Sequence, residues 1–545
     1  MKRLLDLVKK DCIKSGPTGV VVHSVCYDSR TVETGSLFVA LRGTNVDGHQ
    51  YIANAIHNGA FVIVHSYSYE EAEALYKLYP DVAFVAYEDT NSALAQISAA
   101  FYDNPSNLLS VVGITGTNGK TTTSYILKSI LDHTGFQTGL IGTISYMIGN
   151  KTFEAPHTTP EAPVFQSLLR QMVNEGCDFV VSEISSHALA QRRADCTEIK
   201  VAVFTNLTRD HLDFHRDMED YFLSKVRLFT ELLTKDGVAV INIDDPYGKR
   251  LCETLKDKNI NVLTYGIESK GADITATQIV MNFRGTAFKM HVRGVAVEEV
   301  SSPLCGIANV YNCLAAAVAA VALNIPIKKI KEAIAMTSLV KGRFEKVDLG
   351  QDFLAVVDYA HTEDALERLL LTARQLLKAY NVAQKTEDMM RAKDHRYHQE
   401  GNQRVGKIIT VFGCGGNRDR GKRSKMGEIA SRLSDFVIVT SDNPRREDPK
   451  EIIREIERGI KGDNYIVIPD RKVAIGMAVE LASSGDIVLV AGKGHEEYQE
   501  VMGSRKHFSD KGALEEAIRK TISRPSFRDW AQFFNPDRTM QNAHC

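Results

Sequence analysis

The sequence predicts a multidomain α/β protein built on parallel sheets, and three observations predict it. Apolar runs rich in Val and Ile recur at residues 111–114, 179–181, 201–204, 238–243, 353–357, 408–412, 436–439 and 487–490, separated by stretches of helical periodicity. Continuous apolar runs suit strands buried on both faces, and their alternation with helices implies parallel pairing. A chain of 545 residues holds about three or four domains at roughly 100–200 residues each. With 44% hydrophobic and 25% charged residues the composition is that of an ordinary globular chain, which excludes a disordered or fibrous one.

The same composition bounds the partners. A net charge of −2 leaves no surplus of Lys and Arg to displace phosphate counterions, so no nucleic acid is expected. The longest wholly apolar run, residues 313–323, is well short of the roughly 20 residues that span a bilayer, so no membrane span is expected. Residues 1–11 lack the unbroken apolar stretch of a secretory signal. Nine cysteines without a CxxC pair read as scattered thiols in a reducing, cytoplasmic compartment rather than as a disulfide frame or a zinc site.

Taken in order, the elements divide at two places. Asp103-Asn104-Pro105-Ser106 breaks the chain before the first central strand, and residues 338–341 separate a helix over 327–336 from the next strand. The expected domains are therefore 1–104, 105–338 and 339–523. Residues 384–404 are charged, show no strong apolar period and read as a solvated insertion. The tail 524–545 carries the only tryptophan, Trp530, and reads equally as a docking piece or a frayed end. In open parallel sheets ligands bind beyond the carboxyl ends of the strands, so the residues just after each run carry the function.

After the 111–114 run comes Thr115-Gly116-Thr117-Asn118-Gly119-Lys120-Thr121-Thr122 and then a helix with Ile126, Leu127, Ile130 and Leu131 on one face. Small residues let backbone N–H groups close around phosphate, the helix N-terminus adds positive potential, Lys120 reaches the outer phosphates and the Thr121 hydroxyl can ligate Mg²⁺. Ile114 stands where the strict phosphate-loop pattern has its first Gly, but a simple Gly turn would not explain the Lys-Thr pair. Nucleotide binding is expected. The 179–181 run ends in Ser182-Glu183-Ile184-Ser185-Ser186-His187, where Glu183 can share a metal ion with Thr121 or serve only as a cap or surface acid. The 201–204 run ends in Thr205-Asn206-Leu207-Thr208-Arg209-Asp210-His211, which makes His211 a second candidate ligand. In the helix that follows, Phe222 and Phe229 mark an inner face with Lys225 between them, and by itself that lysine reads as one that snorkels to solvent.

Together with Asp28-Ser29-Arg30, Asp47-Gly48-His49, Thr158-Thr159-Pro160, Asp358-Tyr359-Ala360-His361-Thr362 and Gly413-Cys414-Gly415-Gly416, these motifs resemble the Mur ligases from about Tyr27 to about Lys520. The resemblance implies three α/β domains: an N-terminal UDP-binding domain, a central phosphate-loop ATPase-like domain and a C-terminal Rossmann-like domain. It implies an ATP-dependent, ADP-forming ligase of bacterial peptidoglycan synthesis, a monomer, which adds the third residue to UDP-N-acetylmuramoyl-L-alanyl-D-glutamate. On this resemblance Tyr27, Ser29, Thr44, Asn45 and Val46 lie at the UDP end, and Thr158, Thr159, Ser185, Gln191 and Arg193 hold the muramoyl-peptide. Gly116 to Thr122, Asn309, Asn312, Arg343, Asp358 and His361 take ATP. Thr121, Glu183, His211 and a CO₂-derived carbamate on Lys225 surround Mg²⁺, with Lys120, Glu183, His211 and Lys225 as the catalytic set. Folylpolyglutamate synthase and a non-catalytic nucleotide-binding homologue are the competing readings.

Three loops follow strands of the last domain, and in a parallel sheet their tips meet on one edge. They supply guanidinium forks from Arg418 and Arg445, an amide from Asn443 and a carboxylate from Glu496, a set suited to carboxylates and an ammonium. Asp442-Asn443-Pro444-Arg445 resembles the form of the family that takes meso-diaminopimelate, with Gly492 and Glu496 completing the pocket. An L-lysine-adding ligase is the alternative, but lysine has no distal carboxylate to neutralise Arg445.

Overall fold

The structure is a computed structural model that describes residues 1–43, 46–392 and 405–523. The chain gathers into two compact units, one from residues 1–278, 288–301 and 309–337, the other from residues 279–287, 302–308 and 338 onward.

The first unit opens with a five-stranded sheet of β1 (Ile13–Ser15), β2 (Ser24–Cys26), β3 (Ser36–Val39), β4 (Ala60–His65) and β5 (Ala83–Ala86), in the order β1-β5-β4-β3-β2. All its pairs are parallel except β1 with β5. The chain leaves it through Asp103 and Asn104, both left-handed, at φ 60° and 45°, a conformation that short polar side chains tolerate.

A second sheet follows with β6 (Ser110–Thr115), β7 (Thr138–Ile141), β8 (Ser145–Ile148), β9 (Lys151–Glu154), β10 (Phe179–Glu183), β11 (Ile199–Phe204), β12 (Leu233–Asn242), β13 (Asn261–Gly266) and β14 (Ile274–Asn282). Their order is β9-β8-β7-β10-β6-β11-β12-β13-β14. The central strands are parallel, as the apolar runs predict, whereas β7, β8 and β9 form an antiparallel edge. Their short connections cannot carry a crossover, so only antiparallel pairing is open to them. Glu183 pairs with Ile114, and Phe204 with both Thr115 and Ile241. This register brings the carboxyl ends of β6, β10, β11 and β12 to one edge.

Helix Lys120–His133 buries Ile126, Leu127, Ile130 and Leu131, the face its periodicity predicts. Helix Met218–Arg227 runs into a wide turn, Leu228–Leu232, which buries Leu228, Phe229 and Leu232. Phe222 and Phe229 are each 1% exposed and so contribute roughly 1.5–3 kcal/mol each through burial. Lys225 between them is 2% exposed; it does not snorkel, because both flanking faces of its helix are covered. β12 begins at Leu233, earlier than the apolar run suggests, because Thr234, Lys235 and Asp236 carry no apolar signal and the pairing with β11 shifts register between Ile199 and Val201.

The second unit holds a six-stranded sheet of β15 (Glu345–Val347), β16 (Leu354–Asp358), β17 (Ile408–Phe412), β18 (Phe436–Val439), β19 (Tyr465–Val467) and β20 (Ile487–Ala491), ordered β15-β16-β20-β17-β18-β19. Only β15 is antiparallel to its neighbour. Ala491 pairs with Asp358 and Phe412, and Phe412 with Val439, so the loops after four strands open on one edge. The stretch 384–404, read as a solvated insertion, is helical at its start. Helix Glu363–Ala392 continues into it, since 384–392 hold good helix formers and neither Gly nor Pro. Residues 393–404, Thr44, Asn45 and the tail with Trp530 lie outside the described residues. The eight described cysteines are free thiols, and among the described residues no helix is long and apolar enough to cross a membrane.

Candidate active site

The turn after β6 is shaped by two glycines. Gly116 has φ 145°, and a Cβ there would lie 1.9 Å from Thr205 Oγ1; Gly119 has φ 90°, and its Cβ would lie 2.5 Å from Asn312 Oδ1. Only glycine fits either place. The turn is braced from the end of β11: Asn206 accepts the Thr117 amide on its carbonyl oxygen at 2.8 Å and the Asn118 amide on its side-chain oxygen at 2.9 Å, while Thr205 Oγ1 donates to the Asn118 carbonyl at 2.7 Å. Gly119 then opens helix Lys120–His133 without a side-chain cap, so the helix N-terminus faces the turn with the geometry that receives anionic oxygen. Asn312 donates to Asn309 Oδ1 at 3.0 Å beside the turn, and Thr122 is buried at the start of the helix.

Two lysines meet at this turn. Lys120 Nζ donates to the carbonyls of Gly116 and Thr117, both at 2.9 Å, and Lys225 Nζ donates to the same Gly116 carbonyl at 3.0 Å while lying 4.5 Å from the Tyr221 ring centre. Burial first, and the neighbouring Lys120 charge second, push Lys225 well below the ordinary ammonium range. The Tyr221 hydroxyl, pushed up by burial, bonds Thr117 Oγ1 at 3.1 Å. His211, at φ 54°, packs against His187 and Tyr221 with ring centres 4.7 and 6.1 Å away, and its partial burial holds it below the usual imidazole range. Burial likewise brings His187 down to about 4.

Glu183, fully buried at the end of β10, accepts from Thr121 Oγ1, from the Thr143 amide and from Thr143 Oγ1, each at 2.9 Å. Among the described residues no Lys or Arg pairs with it. A buried carboxylate held only by neutral donors beside a phosphate loop fits a divalent cation. Among the described residues no three His, Cys, Asp or Glu side chains form a ready metal cage; Mg²⁺ does not require one, because it commonly takes one or two protein oxygens together with phosphate and water. The structure thus joins Thr121 to Glu183, and Lys120 to Lys225, while His211 bonds neither Glu183 nor Lys225.

Beyond Glu183 the muramoyl-peptide candidates form a chain of contacts. Thr143 Oγ1 lies 3.1 Å from Thr158 Oγ1, Thr159 Oγ1 donates to the Glu183 carbonyl at 2.7 Å and accepts the Ser185 amide at 3.0 Å, and Ser185 Oγ caps the next helix at the Ala188 amide. Arg193 pairs with Glu161 at 2.8 Å and donates to the Thr159 carbonyl at 3.2 Å, yet its Nε, like Gln191 Oε1, is buried without a hydrogen-bond partner. Such orphaned atoms are what a polar ligand satisfies. Tyr27 lies within electrostatic reach of Glu161 and Arg193, and burial first raises its hydroxyl. The Ser29 carbonyl accepts from Asn58 at 2.9 Å, Val46 is half-exposed, and Thr44 and Asn45 fall outside the described residues.

In the second unit, Asp358 accepts the amides of Phe344 and Ala360 at 2.6 and 2.8 Å and is raised by burial against the pull of Arg343. The Arg343 guanidinium lies 4.6 Å from the Tyr359 ring centre, and His361 Nδ1 lies 2.8 Å from the Tyr359 carbonyl. On the same edge Arg445, at φ 53°, donates to the Gly416 carbonyl at 2.9 Å, and Asn443 donates to Glu496 at 2.8 Å. Gly492, at φ 120°, leaves room for Asp442, whose Oδ2 would lie 2.7 Å from a Cβ there. The Pro444 carbonyl packs on Gly416 in the same way. Arg418 is exposed and makes no ion pair among the described residues. The sequence pattern does not single out Thr143, Tyr221 or Lys493 as site residues; of these only Lys493 lies in a strand-end loop of the amino-acid pocket, between Gly492 and Glu496.

Three family models match the chain: the Mur ligase family catalytic domain over residues 21–102, the Mur ligase middle domain over 114–320 and the Mur ligase glutamate ligase domain over 396–494. A UDP-N-acetylmuramoyl-L-alanyl-D-glutamate–2,6-diaminopimelate ligase from Caldanaerobacter subterraneus subsp. tengcongensis is 42% identical over 520 residues, 95% of this chain and 99% of that one. The chain belongs to the Mur ligase family. A relative of the same name from Clostridium botulinum is also 42% identical, over 92% of this chain and 95% of its own. A solved structure of a diaminopimelate ligase so named superposes with a TM-score of 0.63 at 31% identity, covering 92% of this chain and 95% of that one. Mur ligases are ATP-dependent, so the phosphate turn after β6 is the feature of this chain that the family's chemistry requires.

Proposed function

We propose that this Mur ligase joins meso-diaminopimelate to the D-glutamyl γ-carboxylate of UDP-N-acetylmuramoyl-L-alanyl-D-glutamate, at the expense of ATP. The observation that carries the reading is its full-length likeness, at 42% identity, to ligases of that name. The geometry supports the ATP-dependent step: a phosphate turn and a buried carboxylate lie at the ends of adjacent parallel strands, and a second lysine, Lys225, reaches the turn from helix Met218–Arg227. The wider assignment comprises domains 1–104, 105–338 and 339–523, a monomer, and a cytoplasmic location where nucleotide-linked precursors are made.

In the first step a γ-carboxylate oxygen attacks the γ-phosphorus of ATP, the bond to the ADP oxygen breaks, and an acyl phosphate forms. Lys120 and the N-terminus of its helix neutralise the phosphates. Thr121, Glu183, His211 and a carbamylated Lys225 would hold Mg²⁺, which would supply charge neutralisation on the phosphate oxygens. Lys225 suits carbamylation because only a neutral amine attacks CO₂, giving a carbamate and releasing a proton, and its surroundings favour the neutral form. Gln191 and Arg193 orient the muramoyl-peptide. The assignment gives Asn309, Asn312, Arg343, Asp358 and His361 to the nucleotide. In the second step the amine of diaminopimelate attacks the acyl carbon, phosphate departs with the carbon–oxygen bond, and the nitrogen loses a proton to leave an amide. Arg418 and Arg445 take carboxylate and Glu496 takes ammonium.

Release of ADP and phosphate from purified protein, ATP, Mg²⁺ and the muramoyl dipeptide, measured across candidate amines, tests this. Turnover with meso-diaminopimelate well above that with L-lysine is expected; a preference for lysine would overturn the amino-acid assignment.

A further inference from the structure

One fully buried cation in the second unit has no part in these steps. Lys493, in the turn after β20, has a side chain with no solvent exposure, and its Nζ donates to Asn443 Oδ1 at 3.0 Å and to Glu496 Oε2 at 3.2 Å. Asn443 donates from Nδ2 to the same Glu496 oxygen at 2.8 Å, and its Oδ1 also accepts the Glu500 amide at 2.9 Å. The Asn443 amide therefore has one orientation: turned over, it would face two donors with its own NH₂. Glu496 Oε2 is occupied by two donors, whereas Oε1 accepts no hydrogen bond among the described residues. The carboxylate is locked at one oxygen and open at the other.

Lys493 cannot meet a ligand itself, since no part of its side chain reaches the surface. Its effect is on the groups it holds. Glu496 shares its surroundings with Asp442, both within electrostatic reach of Arg471. Arg471 is already committed to a buried pair with Asp510 at 2.7 Å, so Lys493 is the cation that bonds Glu496 directly. Without it, the carboxylate would keep one neutral donor and regain rotamer freedom.

We propose that Lys493 is a positioning residue of the amino-acid site, clamping Glu496 through Oε2 and Asn443 through Oδ1 so that Glu496 Oε1 is presented to the ammonium of the incoming diamino acid. This rests on the reading of Asp442 to Arg445 and Glu496 as the amino-acid pocket. A lysine that merely pins its own turn would affect all substrates, or none, and would act independently of Glu496.

The test is a double-mutant cycle on the full chain with meso-diaminopimelate as the varied substrate. Lys493→Met keeps the length and removes the charge; the KM for diaminopimelate is expected to rise about tenfold or more, with the KM for ATP and for the muramoyl dipeptide within about twofold of the parent. Glu496→Gln should raise the same KM similarly, and the double variant should be no worse than the poorer single one, because the two act through one contact. Effects that multiply, or a Lys493→Met KM within about twofold of the parent, would overturn the proposal. If Glu496→Gln alone leaves the KM unchanged, the pocket reading fails with it; if only Lys493→Met is silent, the pocket stands and this inference falls. Should Lys493→Met not fold, as judged by circular dichroism, Lys493→Gln replaces it in the same cycle with the same non-additivity expected.

Discussion

Lys225 is the residue whose chemistry is most strongly dictated by its surroundings. Its ammonium and that of Lys120 each lie within 3.0 Å of the Gly116 carbonyl oxygen, so they are at most about 6 Å apart. At an effective dielectric constant of about 20, two like charges at that distance repel by about 3 kcal/mol, before any cost of taking Lys225 out of water is counted. One hydrogen bond to a carbonyl, about 1 kcal/mol, and the face of the Tyr221 ring, about 0.5–2 kcal/mol, do not offset this repulsion and the cost of burial together. The Asp210 charge, a smaller influence than either, does not reverse the direction. The neutral amine, or an anionic carbamate beside Lys120, is therefore favoured over the ammonium. Lys225→Met should abolish ligation, lowering kcat by at least about a thousandfold, while leaving thermal stability of the CO₂-depleted protein unchanged or higher. The pH dependence has a definite sign. With its native value lowered, the unfolded chain binds the proton more tightly, so the cost of burying Lys225 is full at low pH and is relieved as pH rises toward the ordinary lysine value of about 10.4. Denaturant titrations of CO₂-depleted protein should show stability rising with pH in that window, and Lys225→Met should flatten the rise. Addition of ¹³C-bicarbonate should give a carbamate resonance that this variant lacks. A fully active Lys225→Met enzyme would refute the reasoning.

The other expectations concern separate parts of the molecule. Arg445→Ala should raise the KM for meso-diaminopimelate by about tenfold to a hundredfold and leave any residual L-lysine turnover untouched, as steady-state kinetics with both amines would show. Gly116→Ala places a methyl 1.9 Å from Thr205 Oγ1 and should abolish ATP binding in calorimetry while the rest of the sheet still folds. Asp510→Ala leaves the buried Arg471 guanidinium without its partner and should cost about 3–5 kcal/mol in denaturant unfolding, whereas replacing both residues with apolar ones of similar size should cost much less.

The sequence made the phosphate turn legible because its determinants are local: two glycines, a Lys-Thr pair and a helix with a clear apolar face lie within twenty positions of each other. The strand-end loops were legible for a similar reason, since each follows its own apolar run. What stayed hidden depends on register. Thr143 reaches Glu183 only because β7 lies beside β10, and the four-residue β7, Thr-Gly-Leu-Ile, has little apolar pattern of its own. Asn206 braces the turn from a neighbouring strand whose distance in sequence carries no signal. The burial of Lys225 follows from packing on both sides of its helix, which a single-helix period cannot reveal. Residues 384–392 lack an apolar face and so read as solvated, yet nothing in them stops a helix that is already formed.

The central claim is that the acid is activated by phosphorylation before the amine attacks. Muramoyl dipeptide labelled with ¹⁸O in the γ-carboxylate, incubated with ATP, Mg²⁺ and meso-diaminopimelate, tests it through the isotope content of the products. One labelled oxygen in each phosphate released is the predicted result; unlabelled phosphate alongside amide product would contradict it.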